Sequence, residues 1–161
     1  MFSFFFFGTL QDDDLRELVL GKSILNEDIT KVVLKGYRCV RLRSRVQPGI
    51  VDDPEGQVEG VLTRHLGKTS AARISHYESG AYDIVLRPVD LLKGGQEKAW
   101  TFLSAPGLSV APGKWLLKNW QLRYKPRSLV VARAWMSRLD HAMLASLKAD
   151  WRKRCLKASR R

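Results

Sequence analysis

Residues 2–10 read Phe-Ser-Phe-Phe-Phe-Phe-Gly-Thr-Leu. A run of apolar and aromatic side chains that ends at a glycine is typical of a β-strand buried on both faces. The run is too short to span a membrane, and it lacks the basic segment with which a secretory signal begins. Asp12 to Leu20 follow as a predicted helix, with acidic residues in the first turn and Gly21 just past the end. The chain is therefore expected to open with a strand, a glycine turn and a short helix.

Strand signals dominate the residues that follow this opening unit. β-Branched and apolar residues at positions 32–42 predict a strand, and Gly36 within it predicts a bend, a bulge or a division into two short strands. Prolines and glycines across residues 48–56 predict a loop. Residues 58–63 then predict another strand. This part of the chain is expected to form most of a sheet.

Helical patterns appear later in the chain. Residues 69–77 place apolar side chains at steps of three and four, which predicts a short helix with Glu78 at its C-terminal end. Residues 82–87 and 97–103 are expected to pair as a hairpin around two adjacent glycines. A single long amphipathic helix with a basic face is predicted over residues 128–157. Strands followed by helices predict an α+β fold.

Positive charge is concentrated near the C-terminal end of the sequence. The 161 residues carry a net charge of +12 and have the composition of one globular domain. Residues 1–113 hold equal numbers of basic and acidic side chains, whereas residues 114–161 hold 14 Lys and Arg against Asp140 and Asp150. The sequence predicts a main domain over residues 1–113 and a basic helical extension over residues 114–161, packed on the same domain. This extension could bind nucleic acid or an anionic membrane surface, or could simply present a solvated basic face.

The cysteine and histidine content excludes several kinds of site. Cys39 and Cys155 are too few and too far apart in sequence to predict a disulfide framework, so a reducing compartment such as the cytoplasm is expected. The spacing of His, Cys and acidic residues matches no metal-binding pattern, and His65 and His76 have no sequence support as ligands or bases. We therefore expect neither a metal nor an organic cofactor. Because the apolar run at residues 2–7 is too short to cross a membrane, we also expect no transmembrane segment.

Three segments, in their order along the chain, resemble the γ-glutamylcyclotransferase family, including its avirulence-induced-gene-like branch. Each is short and common by itself, and the resemblance depends on the ordered set over roughly residues 2–103. The segments are Phe7-Gly8-Thr9-Leu10, then residues 36–38, 47–51 and 58–62, and finally Ile74-x-x-Tyr77-Glu78-x-x-x-Tyr82.

The resemblance implies a fold and an activity for residues 1–113 as a γ-glutamylcyclotransferase-like domain. The fold would be a compact mixed β-barrel with flanking helices and a cavity at one end. The activity would be cyclisation of a γ-glutamyl amide or peptide to 5-oxoproline with release of an amine or amino acid. Glu78 would act as general base and then general acid. The substrate-binding residues implied are Phe7, Gly8, Thr9, Leu10 and Tyr82.

Three departures from the family pattern keep a second function open. Phe7 stands where the family usually has tyrosine, Ser79 stands where it usually has glycine, and Ser75 lies where an acidic residue is common. A non-catalytic family member that binds a nucleic acid or a small carboxylate would explain them. Taken without the motif, Glu78 would be a solvated residue at a helix end, and Tyr82 an aromatic residue packed on a strand.

Overall fold

The computed structural model describes residues 1–78, 82–104, 107–158 and 160. The strands are β1 Phe2–Phe6, β2 Ile29–Leu42, β3 Gly49–Leu66, β4 Tyr82–Leu91, β5 Gln96–Ser104 and β6 Val110–Ala111. The helices are α1 Asp13–Leu20, α2 Lys68–Glu78, α3 Leu117–Arg123, α4 Lys125–Met136 and α5 His141–Ala158. Short 3₁₀ turns cover Thr9–Gln11 and Asn26–Asp28.

Five of the strands close into a barrel in the order β3, β1, β5, β4, β2. β2 pairs with both β4 and β3, and that second pairing closes the sheet on itself. β1 runs antiparallel to β3 and parallel to β5, while β6 adds to the end of β2. The α+β class and the barrel with flanking helices that we expected are therefore confirmed.

The aromatic run in β1 is buried on both of its faces, as predicted. Phe4 and Phe6 belong to a hydrophobic cluster that includes the helices. Phe5 and Phe7 belong to a second cluster, whose other buried members all come from strands. Successive side chains of a strand point to opposite faces. Phe5 and Phe7 therefore pack inside the barrel, whereas Phe4 and Phe6 pack against the helices.

Gly60 allows β1 to lie close against β3. A methyl group at this position would lie 2.4 Å from the main-chain oxygen of Phe6 and 2.5 Å from the ring of Phe5. We expect Gly60→Ala to lower the free energy of unfolding by about 2–3 kcal/mol, because the strand backbone and a buried ring would both have to move. Urea unfolding measures this loss. Gly67→Ala is the matched control, since its methyl group meets nothing within 4 Å; equal losses in the two variants would contradict the prediction.

The loop predicted over residues 48–56 is wrong, because most of that segment belongs to β3. The β2–β3 ladder pairs Lys35 with Gln57 and then Tyr37 with Asp52, so residues 53–56 form a bulge opposite Gly36. Proline and glycine therefore mark an irregularity within a continuous ladder. Of the alternatives predicted at Gly36, which were a bend, a bulge or two short strands, the structure shows one continuous strand with the ladder interrupted opposite the bulge of β3. The φ of Gly36, 87°, is one that glycine adopts without strain.

The single helix predicted over residues 128–157 is also wrong. α4 ends at Met136 and α5 begins at His141. Asp140 supplies the physical reason, since its Oδ1 accepts a hydrogen bond from the main-chain N–H of Met143 at 2.8 Å and so caps the start of α5. The apolar side chains follow a helical period across the break. For this reason the sequence pattern did not indicate that a new helix begins after Asp140.

The C-terminal helices pack closely on the barrel. Trp151 of α5 is 1% exposed, and its ring centroid lies 5.3 Å from that of Phe4 and 5.0 Å from that of Trp100. Lys125, at the start of α4, pairs with Asp12 at 2.8 Å and with Asp14 at 2.6 Å. The domain boundary at residue 113 stays a prediction. Among the described residues, no helix is long and apolar enough to cross a membrane.

Candidate active site

Glu78 is the last residue of α2, and it borders a narrow cavity at one end of the barrel. The cavity has a volume of about 30 Å³, enough for about two water molecules. It brings together all the residues that the sequence analysis predicted for the site: Phe7, Gly8, Thr9, Leu10, Glu78 and Tyr82. Segments from opposite ends of the first eighty residues therefore meet here.

The turn after β1 contributes Gly8, Thr9 and Leu10 to the lining of this cavity. Gln11 orders the turn, because its side-chain amide donates to the carbonyl of Phe7 at 2.8 Å and to that of Gly8 at 3.2 Å. Within the described residues, the N–H groups of Gly8, Thr9 and Leu10 make no hydrogen bond. Three residues that line the cavity therefore have N–H groups without a partner in the described part of the chain.

Two tyrosines connect the turn with the end of α2. The hydroxyls of Tyr77 and Thr9 lie 3.2 Å apart, and the Tyr82 hydroxyl donates to the carbonyl of Pro48 at 3.1 Å. Burial, and to a smaller degree the nearby Glu78 carboxylate, raises the pKa of Tyr77 to about 12. Burial also raises the pKa of Tyr82. Both hydroxyls therefore keep their protons near neutral pH.

Glu78 has a strongly perturbed acidity. Loss of hydration in the aromatic pocket raises the pKa of its carboxyl to about 8, from 4.5 for an ordinary glutamate. The positive charge of Arg45 opposes this shift without overcoming it. Near neutral pH the carboxyl can therefore both bind and release a proton, as general acid and base catalysis requires.

A second cavity of about 260 Å³ adjoins the first on its outer side. Glu78, Tyr77, Tyr82 and Gln47 border both cavities. The outer cavity is also lined by Arg45, from the connection between β2 and β3, and by two side chains of α4, Val131 and Trp135. α4 therefore forms part of the wall in front of Glu78.

His76, near the end of α2, contacts Trp135 of α4. Its imidazole stacks on the Trp135 ring at a centroid distance of 4.8 Å and an interplanar angle of 6°. The Trp135 indole N–H donates to the His76 carbonyl at 2.9 Å, and the His76 Nε2 lies 3.0 Å from the Trp135 carbonyl oxygen. His76 is two residues before Glu78, and its contacts with Trp135 position one wall of the outer cavity.

Two of the departures from the family pattern lie on described residues. The ring of Phe7 is 7% exposed and packs in the cluster of strand residues. Ser75 donates its hydroxyl to the carbonyl of Ala71 at 2.9 Å, within α2. Ser79 lies outside the described residues. Over the described part of the chain, no three His, Cys, Asp or Glu side chains converge on a metal position.

A sequence model of the family described as gamma-glutamyl cyclotransferase, AIG2-like, matches residues 4–121. The chain belongs to this family. The resemblance predicted from the sequence is thereby confirmed, and the match extends beyond residue 103 into α3. No curated protein sequence matches the chain.

Solved structures share the gamma-glutamyl cyclotransferase fold with this chain. The Arabidopsis thaliana protein At5g39720.1 is 20% identical with a TM-score of 0.60, over 81% of this chain and 87% of that one. At3g28950.1 of the same plant is 19% identical with a TM-score of 0.60, over 83% and 80%. A structure named gamma-glutamyl cyclotransferase is 16% identical with a TM-score of 0.55, over 92% and 86%. At these identities the likeness shows the fold alone.

Several residues that line the two cavities of this gamma-glutamyl cyclotransferase-like chain were not predicted for the site, among them Tyr77, Arg45, Gln47 and Trp135. Gln47 lies directly before Pro48 in one of the segments that carry the resemblance, so a signal existed for it. No sequence pattern indicated Arg45 or Trp135. Arg45 lies at the cavity because β2 and β3 pair and hold their connection there, and Trp135 lies there because α4 packs beside α2.

Proposed function

We propose that this protein cyclises a γ-glutamyl amide or peptide to 5-oxoproline and releases an amine or amino acid, with Glu78 as general base and general acid. The observation that carries the proposal is a carboxyl with a raised pKa on the same cavity as Gly8, Thr9 and Leu10, whose main-chain N–H groups make no hydrogen bond with a described residue. Family membership supports the same class of reaction.

The proposed reaction begins with a proton transfer. The Glu78 carboxylate takes a proton from the substrate's α-ammonium, and the resulting amine attacks the γ-carbonyl carbon of the same molecule. The new C–N bond closes a five-membered ring, and negative charge collects on the carbonyl oxygen. The N–H groups of Gly8, Thr9 and Leu10 would stabilise this charge, as an oxyanion hole does.

The second half of the reaction returns the proton. The ring nitrogen, which holds two hydrogens after the attack, loses one of them as a proton to solvent. The bond from the former carbonyl carbon to the leaving nitrogen breaks as the carbonyl re-forms, and protonated Glu78 donates to that nitrogen, so that the amine departs neutral. Glu78 regains its charge and is ready for another cycle. Because the reacting groups belong to one molecule, holding them in contact supplies much of the rate enhancement.

The dimensions of the two cavities suggest how the substrate would lie. The inner cavity, at about 30 Å³, admits the reacting carbonyl oxygen but not a whole γ-glutamyl group. The outer cavity, at about 260 Å³, would hold the rest of the molecule against Trp135 and Arg45. Glu78 borders both cavities and would therefore reach the α-amine and the leaving nitrogen.

Release of 5-oxoproline from a panel of γ-glutamyl compounds tests this function, with the Glu78→Gln protein as the inactive control. The expected result is turnover of at least one compound by the unaltered chain. Failure to release 5-oxoproline from any γ-glutamyl amide or peptide would contradict the proposal. Together with salt-sensitive binding of nucleic acid or a small carboxylate, that failure would favour the non-catalytic alternative.

Gly8 offers a second way to probe the turn. A methyl group there would lie 3.0 and 3.1 Å from two ring carbons of Pro48, closer than ordinary contact. We expect Gly8→Ala to reduce kcat by about tenfold with little change in KM, because it displaces N–H groups that act on the transition state. Steady-state kinetics measures the effects on kcat and on KM separately. A tenfold rise in KM at unchanged kcat would assign the turn to ground-state binding instead.

The cytoplasmic location belongs to the same proposal. Its support is the low cysteine content and the thiol of Cys39, which burial keeps protonated by raising its pKa to about 11.

A further inference from the structure

A third cavity, of about 180 Å³, lies beside the outer cavity and is lined mainly by polar and basic side chains. Four cationic residues border it: Arg41, Arg45, Lys114 and Arg123. Its described lining contains no aspartate or glutamate. Arg45 also borders the outer cavity, so the cationic cleft continues from the mouth of the Glu78 site.

These cations lack the partners that other basic residues of the chain have. Lys125, a few residues away, is neutralised by Asp12 and Asp14. In contrast, none of the four cleft cations forms an ion pair with a described residue. Among the described residues, Arg41 makes one hydrogen bond, to the carbonyl of Pro112 at 3.1 Å, and most of its five donors have no partner there.

A tryptophan with an unpartnered indole N–H also borders the cleft. Trp120 lines the same cleft and is 2% exposed, yet its Nε1–H has no hydrogen-bond partner among the described residues. Buried donors nearly always have a partner. The indole of the neighbouring Trp115 does, since it donates to the carbonyl of Val46 at 2.8 Å and so holds the connection that carries Arg45.

We propose that this cleft is an anion site for the leaving half of the substrate, and that the preferred amine carries a phosphate monoester or a comparable group with two negative charges. This assignment rests on the proposed cyclisation. Arg45 also acts on the Glu78 carboxyl, and Arg41, Lys114 and Arg123 form no ion pair with a described carboxylate. A single carboxylate would balance these charges poorly, whereas a dianion with several oxygens can accept from two guanidinium groups at once.

Binding of inorganic pyrophosphate, measured by calorimetry, tests the anion site without any turnover. The Arg41→Ala/Arg123→Ala double variant is expected to bind pyrophosphate at least about tenfold more weakly than the unaltered chain. Lys118→Ala is the matched control, because Lys118 is an exposed cation of α3 outside the cleft. Thermal unfolding of each variant shows that it is folded. No measurable binding, or equal affinity in the double variant, would overturn the anion site.

Turnover of two matched compounds tests the assignment to the leaving half. γ-Glutamyl-phosphoethanolamine is expected to have a kcat/KM at least about tenfold above that of γ-glutamyl-ethanolamine, and the ratio should fall towards one in the double variant but not in Lys118→Ala. Equal values in the unaltered chain would overturn the assignment while leaving the cyclisation intact. No turnover of either compound, or of the wider panel, would contradict the proposed function itself; the pyrophosphate measurement still decides whether the anion site exists.

An oligonucleotide provides the remaining comparison. A short single-stranded DNA that binds more tightly than pyrophosphate, and that loses affinity in the double variant, would replace the substrate assignment with nucleic-acid binding. The small-anion site is supported if the DNA binds more weakly than pyrophosphate, or only at low salt, and if its affinity is the same in the double variant. The DNA would then be bound by other basic surfaces of the chain.

Discussion

Replacing Glu78 with glutamine is expected to lower the rate of 5-oxoproline release by at least about a hundredfold, with a much smaller change in KM. The amide keeps the size and polarity of the side chain but can neither accept a proton from the α-ammonium nor donate one to the leaving nitrogen. General acid and base catalysis contributes roughly 10²- to 10⁴-fold in enzymes, and here one group would serve both steps. Glu17→Gln, on the exposed side of α1, is the matched control. Turnover within threefold of the unaltered chain would remove Glu78 from the mechanism.

The pH dependence of the same reaction identifies the group that titrates. Below pH 8 Glu78 is mostly protonated in the ligand-free protein, so kcat/KM is expected to rise about tenfold per pH unit and to level off near pH 8. A bound ammonium lowers the pKa of Glu78, so the rise in kcat should lie at lower pH than the rise in kcat/KM. Arg45→Ala should move the rise in kcat/KM to higher pH, because Arg45 opposes the upward shift of the pKa.

Some of these features could be predicted from the sequence because they are local. The aromatic run, Gly8 and the helix ending at Glu78 each lie within a short segment, and a strand or helix period is visible in such a segment. The bulge at residues 53–56 could not be recognised, since proline and glycine mark loops and bulges alike. Only the resumed pairing of Tyr37 with Asp52 distinguishes the two.

The outer parts of the site depend on long-range packing, which a single sequence does not disclose. Arg45 reaches the cavity because β2 and β3 pair along nearly their whole length and hold their connection at its mouth. Trp135 reaches it because α4 breaks from α5 at Asp140 and docks on His76. The basic excess after residue 113 was visible in the sequence. The cleft shows where part of it gathers, with Lys114 and Arg123 meeting Arg41 and Arg45 from β2 and its connection.

Glu78→Gln is also expected to stabilise the protein at alkaline pH. The carboxyl has a pKa of about 8 in the folded chain, against 4.5 for an ordinary glutamate, so between these values the folded state holds a proton that the unfolded state has lost. The free energy of unfolding therefore falls as the pH rises through this window, at up to roughly 1.4 kcal/mol per pH unit from this group alone. Glutamine cannot ionise, and the variant escapes this loss.

The stabilisation should accordingly grow with pH. Near pH 5 the carboxyl is protonated and the two proteins are expected to unfold at similar urea concentrations. Near pH 8.5 the variant should be more stable by about 2–4 kcal/mol, which for a chain of this size raises Tm by roughly 4–12 °C. The exposed control Glu17→Gln should change little at either pH. A variant that is less stable than the unaltered chain at pH 8.5 would mean that Glu78 is well solvated, and a solvated carboxylate would be too weak a base to deprotonate an ammonium effectively near neutral pH. Loss of activity together with a gain in alkaline stability is the combination expected of a carboxylate kept in a dry pocket for its chemistry.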